Sequence, residues 1–265
     1  VPEFGVRPGY RVTLVQDTVT RPRFIEFNPD GTLYVSRPNS EDILSLRDMD
    51  GDDFYEWKQT YVENRPRVQG MHFHDGWLWF TQSRSIHRGR DTDNDGVADE
   101  IVTVIPEGQL PGGTGHWWRS ILVTDTHFYT SIGDSGNISI ELDTERQKIW
   151  RFNHAADEKI LFASGIRNTE KLRLRPGTDE VWGVDHGSDW YGRELGETSG
   201  NQPVTDHNPP DELNHYRMGD FYGHPFVVGS VLPRMEYMDR GDILEYASRT
   251  VPPEWGFGAH WAANA

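Results

Sequence analysis

Short apolar runs, each closed by a glycine- or aspartate-bearing turn, follow one another along most of this chain. In RPRFIEFNPDGTLYVSRP, Arg21 to Pro38, an apolar strand enters a turn and leaves as an aromatic-rich strand, which is a β-hairpin signature. The pattern is echoed by RPRVQGMHFHDGWLWFTQ, Arg65 to Gln82. It recurs more loosely as HWWRSILVTDTHFYTSIG from His116 and RNTEKLRLRPGTDEVWGV from Arg167. After the first three hairpins come two more strand-like segments each: ILSLRD and EWKQTYV, SIHRGRD and DEIVTVI, KIWRFN and KILFAS. Four strands per repeat of about fifty residues predict the blades of a β-propeller, with a β-sandwich as the competing reading. Helical segments of any length are hard to find. Four blades can be counted, the segment after Gly229 reads as the start of a fifth, and GFGAHWAANA reads as the opening of a further inner strand. We therefore expect residues 1–265 to form a single all-β propeller domain that continues beyond the C-terminal end of this sequence.

Composition narrows the chemistry. Aliphatic residues are few and aromatic residues make up 12% of the chain, so aromatic packing should carry much of the core. A net charge of −16 speaks against nucleic acid or an anionic membrane surface as a partner, since both repel an acidic protein. No apolar run approaches the roughly 20 residues that span a bilayer. The absence of cysteine excludes thiol catalysis, disulfides and thiolate metal sites. The opening VPEFGVRPGY, without an initiator methionine or a signal-like segment, reads as a processed form. Asn137-Ile138-Ser139 is a glycosylation sequon, and we expect a secreted, extracellular monomer.

Registering the repeats on Phe27, Phe73, Val123 and Leu174 aligns Thr20, Pro66, His116 and Arg167 seven residues upstream. Pro66 is flanked by Arg65 and Arg67. A propeller gathers equivalent positions around one mouth of its channel, so this ring is basic within an acidic protein and points to an anionic ligand. Reflecting His116 through its hairpin lands on Asp134, whose carboxylate could orient the imidazole as a general base requires, or could simply pin a loop with it. Reflecting Arg167 lands near Gly187 in VDHGSDWYG, where main-chain carbonyls suit a hard cation.

His116, the IGD that contains Asp134, GIRN (Gly165 to Asn168), VDHGSDWYG and PPDELNHY followed by FYGHP occur together in a fixed order. In that order they resemble the soluble pyrroloquinoline-quinone (PQQ) sugar dehydrogenases, most closely the fungal pyranose dehydrogenase branch. The resemblance runs from about Gly9 to the C-terminus. It implies a six-bladed propeller with PQQ at the axis, of which this chain covers about four blades. It also implies that His116 takes the sugar hydroxyl proton while hydride passes to the quinone, with Asp134 orienting the base. Arg167 would bond the quinone oxygens, Asn168 would line the site, and the carbonyls of Gly187 and Ser188 would hold a polarising Ca²⁺. Electrons would pass to an external acceptor, a haem domain or another redox protein. Two departures stand out. Ser188 replaces the proline of bacterial relatives, and the basic residues for the cofactor carboxylates belong to two blades absent here, which leaves Arg65 to supply one contact. Trp117, beside His116, would suit stacking on a planar cofactor or a sugar face. The competing functions are a non-catalytic glycan- or protein-binding propeller and a Ca²⁺-dependent lactonase-type hydrolase, although the basic ring suits a tricarboxylate better than a bare cation.

The acidic loops add metal candidates. In DTDNDGVADE, Asp91, Asp93 and Asp95 alternate before Gly96, as in the first half of a calcium loop, but Val102 stands where an EF-hand needs glutamate. We expect a structural Ca²⁺ there, with a solvated acidic turn as the alternative. DMDGDD, Asp48 to Asp53, reads as a turn. Asp211 and Glu212 are candidates for a second structural calcium site.

Overall fold

A computed structural model describes residues 5–113, 115–191 and 206–263 of the chain. Its first blade comprises β1 (Phe24–Phe27), β2 (Leu33–Arg37), β3 (Asp42–Arg47) and β4 (Trp57–Val62). The second comprises β5 (Met71–His74), β6 (Trp77–Thr81), β7 (Ile86–Arg90) and β8 (Glu100–Ile105). The third comprises β9 (Leu122–Val123), β10 (His127–Ile132), β11 (Lys148–Asn153) and β12 (Lys159–Ser164). Each is an antiparallel meander in chain order, as the repeat predicts. The hairpins form where the turn chemistry allows. Asp75 and Gly76 between β5 and β6 have φ of 46° and 75°, the doubly left-handed turn that matches the right-handed twist of the strands it joins.

The fourth blade departs from the expectation. It is built from β13 (Thr169–Leu174), β14 (Val181–Asp185), β15 (Pro210–Tyr216) and, after a long excursion, β18 (Trp255–Ala259). The C-terminal WGFGA is thus the outer strand of blade four, and not the inner strand of a new one. The segment after Gly229 starts no fifth blade either. It pairs back through β17 (Leu232–Pro233) with β16 (Val227–Val228), then forms a 3₁₀ turn at Met235–Tyr237 and helix α1 (Ile243–Arg249). These pack around Phe221, Phe226, Val227 and Ile243, a small core of their own.

The blades are cemented by aromatic clusters. Phe24, Tyr34, Tyr61 and Phe80 fill the first interface, and Trp79, Ile86, Phe128 and Phe152 the second. Leu122, Ile149, Phe162, Leu172 and Tyr216 fill the third. Phe128 stacks on Phe152 at 5.0 Å, and each such side chain contributes about 1.5–3 kcal/mol by leaving water. The inner strands of the first and fourth blades also touch. Arg23 donates to both carboxylate oxygens of Glu170 at 3.0 and 3.1 Å, Arg173 pairs with Glu26, and Lys171 Nζ donates to the Ile25 carbonyl at 3.0 Å.

Candidate active site

His116 lies in the bend that precedes β9, where side chains stand in for a ladder. Ser120 and Ser131 join through their hydroxyls at 2.8 Å, and Thr130 Oγ1 donates to the Ser120 carbonyl at 2.8 Å. Two buried arginines hold the bend from below. Arg119 donates to the carbonyls of Trp118 at 2.9 Å and Pro111, and Arg146 donates to those of Gly133 and Gly112 at 3.1 and 3.2 Å. Gly133 lets the parts meet, because a Cβ there would stand 2.8 Å from the His116 Cβ and 2.6 Å from the Arg167 carbonyl.

Asp134 braces His116, but not through its carboxylate. Both the main-chain N–H of His116 and its ring Nδ1 point at the Asp134 main-chain carbonyl, at 3.0 and 3.1 Å. A carbonyl oxygen only accepts, so Nδ1 carries the proton and Nε2 is left bare. The carboxylate turns the other way, to His224 Nε2 at 2.6 Å, Gln147 Nε2 at 2.9 Å, and the N–H groups of Gly136 and Ser139. Hairpin reflection placed the two backbones opposite each other but could not give the direction of the side chain. Burial, reinforced by the Arg167 charge, pushes the imidazole of His116 down to about 4. It is therefore neutral at pH 7, and a weaker base than an ordinary imidazole.

Arg167, Asn168, Gly187 and His116 line one cleft of about 580 Å³, together with Arg23, Trp118, Asn137, Glu170, His186 and Asp189. That volume falls in the usual range for small-molecule sites. Arg167 and Asn168 enter it from the turn before β13, where the buried Asp185 carboxylate accepts both their main-chain N–H groups at 2.8 and 2.7 Å. The Arg167 guanidinium gives Nη1 to the Gly187 carbonyl at 2.7 Å and the His186 carbonyl at 3.4 Å. Its Nη2 meets Asn137 Oδ1 at 2.7 Å and Asp189 at 3.4 Å. The carbonyls that converge on a cationic nitrogen are thus those of residues 186 and 187. Ser188 instead uses its hydroxyl, donating to the Trp190 carbonyl at 2.8 Å and accepting from Arg234 Nη1 at 2.7 Å. Asn168 Nδ2 lies 3.2 Å from both Glu170 Oε1 and His186 Nδ1.

Other expected positions fall elsewhere. The Arg65 guanidinium lies over Phe80 at 6.0 Å, outside the cleft lining, while Arg23 supplies the cation on that side. Trp117 packs under Arg67 at 5.4 Å, and the cleft receives Trp118, which Arg23 covers at 4.8 Å. Asn137 was visible only as a sequon. Its Nδ2, the atom a glycan would join, is buried and without a hydrogen-bond partner, so the sequon carries no information about compartment.

The two acidic loops turn out to be copies of one design. Asp91, Asp93 and Asp99 bring carboxylate oxygens within 4.8 Å of one another, and so do Asp48, Asp50 and Glu56, at the same i, i+2, i+8 spacing. Asp95 is not part of its cluster and caps Val97 N at 2.9 Å. Asp91 accepts Asn94 N and Gly96 N, both at 2.7 Å, as Asp48 accepts Gly51 N at 2.7 Å and Asp53 N at 2.9 Å. The i, i+2, i+8 repeat was present in the sequence and would have paired DMDGDD with its partner. Asp211 and Glu212 form no joint metal site, because neighbours on β15 face opposite sides. Asp211 accepts Gly187 N and Ala263 N at 2.9 Å each, whereas Glu212 accepts Gly229 N at 2.7 Å.

Known proteins share this architecture. A family model described as TrAA12-like matches residues 4–230. An uncharacterised protein of Synechocystis sp. is 25% identical over 288 residues, 93% of this chain and 61% of the relative. The chain thus spans about three fifths of the length of this curated relative. An iodide structure of a Trichoderma reesei carbohydrate-active enzyme of family AA12 superposes with a TM-score of 0.79 at 18% identity, covering 96% of this chain and 72% of that one. The holo PQQ domain of Coprinopsis cinerea pyranose dehydrogenase superposes with a TM-score of 0.82 at 14% identity, covering 97% and 70%. A PQQ-bound aldose sugar dehydrogenase of Streptomyces coelicolor gives a TM-score of 0.64 at 18% identity over 93% and 71%. At these identities the likeness is one of fold.

Proposed function

Because this chain belongs to the TrAA12-like family, we propose that it is the propeller part of a quinoprotein dehydrogenase that oxidises pyranose sugars with PQQ and Ca²⁺. The observation that carries the reading is the His116 ring, whose bare Nε2 is fixed in a cleft it shares with Arg167.

The residues present fit the cofactor. Asn137 Nδ2 is an orphaned donor beside Arg167, and the two together suit the oxygens of a polyanionic quinone. The carbonyls of His186 and Gly187 already converge on a positive nitrogen, which is the environment a Ca²⁺ needs. When bound, the quinone supplies the hydride acceptor. The rest belongs to this chain. His116 Nε2 accepts the proton of the sugar hydroxyl as hydride leaves its carbon, and the imidazolium so formed shares its Nδ1–H with the Asp134 carbonyl. Arg167 opposes negative charge in the cleft, and Glu170, Asp189 and Asp211 line the same space, where they can receive sugar hydroxyls. Trp118 offers an aromatic wall. The fold shared with PQQ-bound and holo structures supports the reading, as do the motifs quoted above. The electron acceptor would be a haem domain or a separate redox protein.

The test is titration of the full-length protein, freed of metal, with PQQ and Ca²⁺, followed by absorbance and then by sugar addition. Ca²⁺-dependent uptake of quinone and its bleaching by a pyranose are the expected results. No uptake at any calcium concentration would leave a non-catalytic propeller.

A further inference from the structure

The excursion between β15 and β18 delivers one side chain, His224, to the carboxylate of Asp134. Its first residues run along the end of blade three. Ser164 N donates to the Asp220 carbonyl at 3.0 Å, Tyr222 N to that of Ser164 at 2.8 Å, and His224 N to that of Gly165 at 2.9 Å. Phe221 bridges Ser164 on one side and Thr250, just past α1, on the other. His224 is thereby fixed in the interior, 6% exposed, with Nε2 2.6 Å from Asp134 Oδ2.

Asp134 is the point through which the cleft is organised. Its carbonyl receives His116 N and Nδ1, and its N–H donates to the Arg167 carbonyl at 2.9 Å. Its carboxylate is fully buried and needs donors to remain there as an anion. His224 makes the shortest of the side-chain contacts, and Gln147 the other, at 2.9 Å. The carboxylate and the carbonyl belong to one residue, so donors that anchor the first also restrain the backbone whose carbonyl holds the His116 ring.

We infer that His224 is a positioning residue for the base: its hydrogen bond to the buried Asp134 carboxylate fixes the Asp134 carbonyl, which in turn fixes the orientation and tautomer of His116. This rests on the reading of His116 as the base, although the coupling from residue 224 through 134 to 116 can be measured without turnover. It also gives the excursion a function. The chain leaves blade four before completing it so that a histidine can reach blade three.

The experiment compares His224→Gln, which keeps an N–H donor, with His224→Leu, which keeps bulk and loses the donor, in the full-length protein. The first readout is nitrogen NMR of the His116 ring at neutral pH, assigned by its loss in His116→Asn. The parent and His224→Gln should show a single Nδ1–H tautomer, and His224→Leu a mixture of both. The second readout is single-turnover reduction of the bound quinone, expected to fall about a hundred-fold in His224→Leu and to be largely restored in His224→Gln. If His224→Leu is too unstable to purify, Asp134→Asn, which removes the anion that His224 holds, serves in both assays with the same expectation. An unchanged His116 tautomer in His224→Leu, or in Asp134→Asn where that stands in for it, overturns the inference. A changed tautomer in a protein that reduces no quinone upholds the coupling and rejects the enzymatic reading instead.

Discussion

The guanidinium of Arg167 and the main-chain carbonyl of Gly187 lie 2.7 Å apart, so the group expected to hold quinone oxygens already occupies an oxygen expected to hold calcium. A carbonyl that already accepts from a guanidinium is a poorer ligand for a second cation, which the first repels. Removing the guanidinium should therefore free the calcium site while weakening the quinone site. Arg167→Gln should bind Ca²⁺ about ten- to a hundred-fold more tightly than the parent in quinone-free protein, which is the worth of one charged hydrogen bond. Terbium luminescence with calcium competition measures this. Equal or weaker binding would show that the two cations do not compete for Gly187.

His116 should act as a base over a wide pH range. Burial, aided by the charges of Arg167 and His224, opposes its protonation and outweighs the Asp134 carbonyl and charge that favour it, leaving it neutral down to about pH 4. Reduction of bound quinone by sugar should be flat above about pH 6 and should fall as acidity approaches that value, because a protonated ring cannot accept. His116→Ala should slow the step by about a hundred- to ten-thousand-fold and abolish the acid limb. Stopped-flow absorbance across pH checks both. An acid limb that survives in His116→Ala belongs to another group.

Much of the architecture could be read from neighbouring residues, since hairpins such as the one at Asp75–Gly76 are encoded locally. The meeting of His116 and Arg167 was legible too, because repeat register maps sequence offset onto position around an axis, while Asn168 came from the resemblance. What escaped was non-local or non-repetitive. Trp118 rather than Trp117 enters the cleft because the regular strand begins only at Leu122, and strand alternation does not apply before it. Arg23 and Glu170 meet across blades, and β18 returns to β15 after residues 217–254, connections that no local pattern announces. Asn137 was hidden by a better-known use of the same tripeptide.

Glu212 should make stability fall with rising pH. Burial, with the charge of Asp185 beside it, pushes its carboxyl from an ordinary 4.5 up to about 8. The folded protein therefore holds this proton after the unfolded chain has lost it. The contribution is complete below about pH 4.5 and drains away as pH rises toward 8, at about 1.4 kcal/mol per pH unit. Glu212→Gln keeps an acceptor for Gly229 N and has no proton to lose. The variant should match the parent at pH 5 and exceed it by a few kcal/mol at pH 8 in urea unfolding. His72 and His87, held near 3 and 4 by burial, have the opposite dependence, losing stability as pH falls below 6.5, so the difference between the two proteins is the quantity to follow. A difference that does not vary with pH would show that Glu212 ionises normally.

The twin acidic loops should respond alike to loss of their caps. Asp91→Ala and Asp48→Ala each remove the acceptor of two main-chain N–H groups and should lower the melting temperature. Thermal unfolding with added CaCl₂ distinguishes a metal loop from a self-capped turn. Bound ions raise the parent's melting temperature and leave the double variant Asp50→Asn/Asp93→Asn unmoved, while the same response in both identifies turns.

The ion pairs between β1 and β13 also bear on how the molecule assembles. Within a blade, partner strands are mostly neighbours in the chain, so each sheet can form from what has just been synthesised. Arg23 and Glu170, like Glu26 and Arg173, are separated by 147 residues and must wait for the fourth blade. A blade can therefore form from local encounters alone, whereas these pairs join charges far apart in the chain, so added salt should weaken the second while leaving the first largely untouched. Arg23 and Glu170 both line the cleft, so this wall of the pocket depends on a contact that no single blade can make.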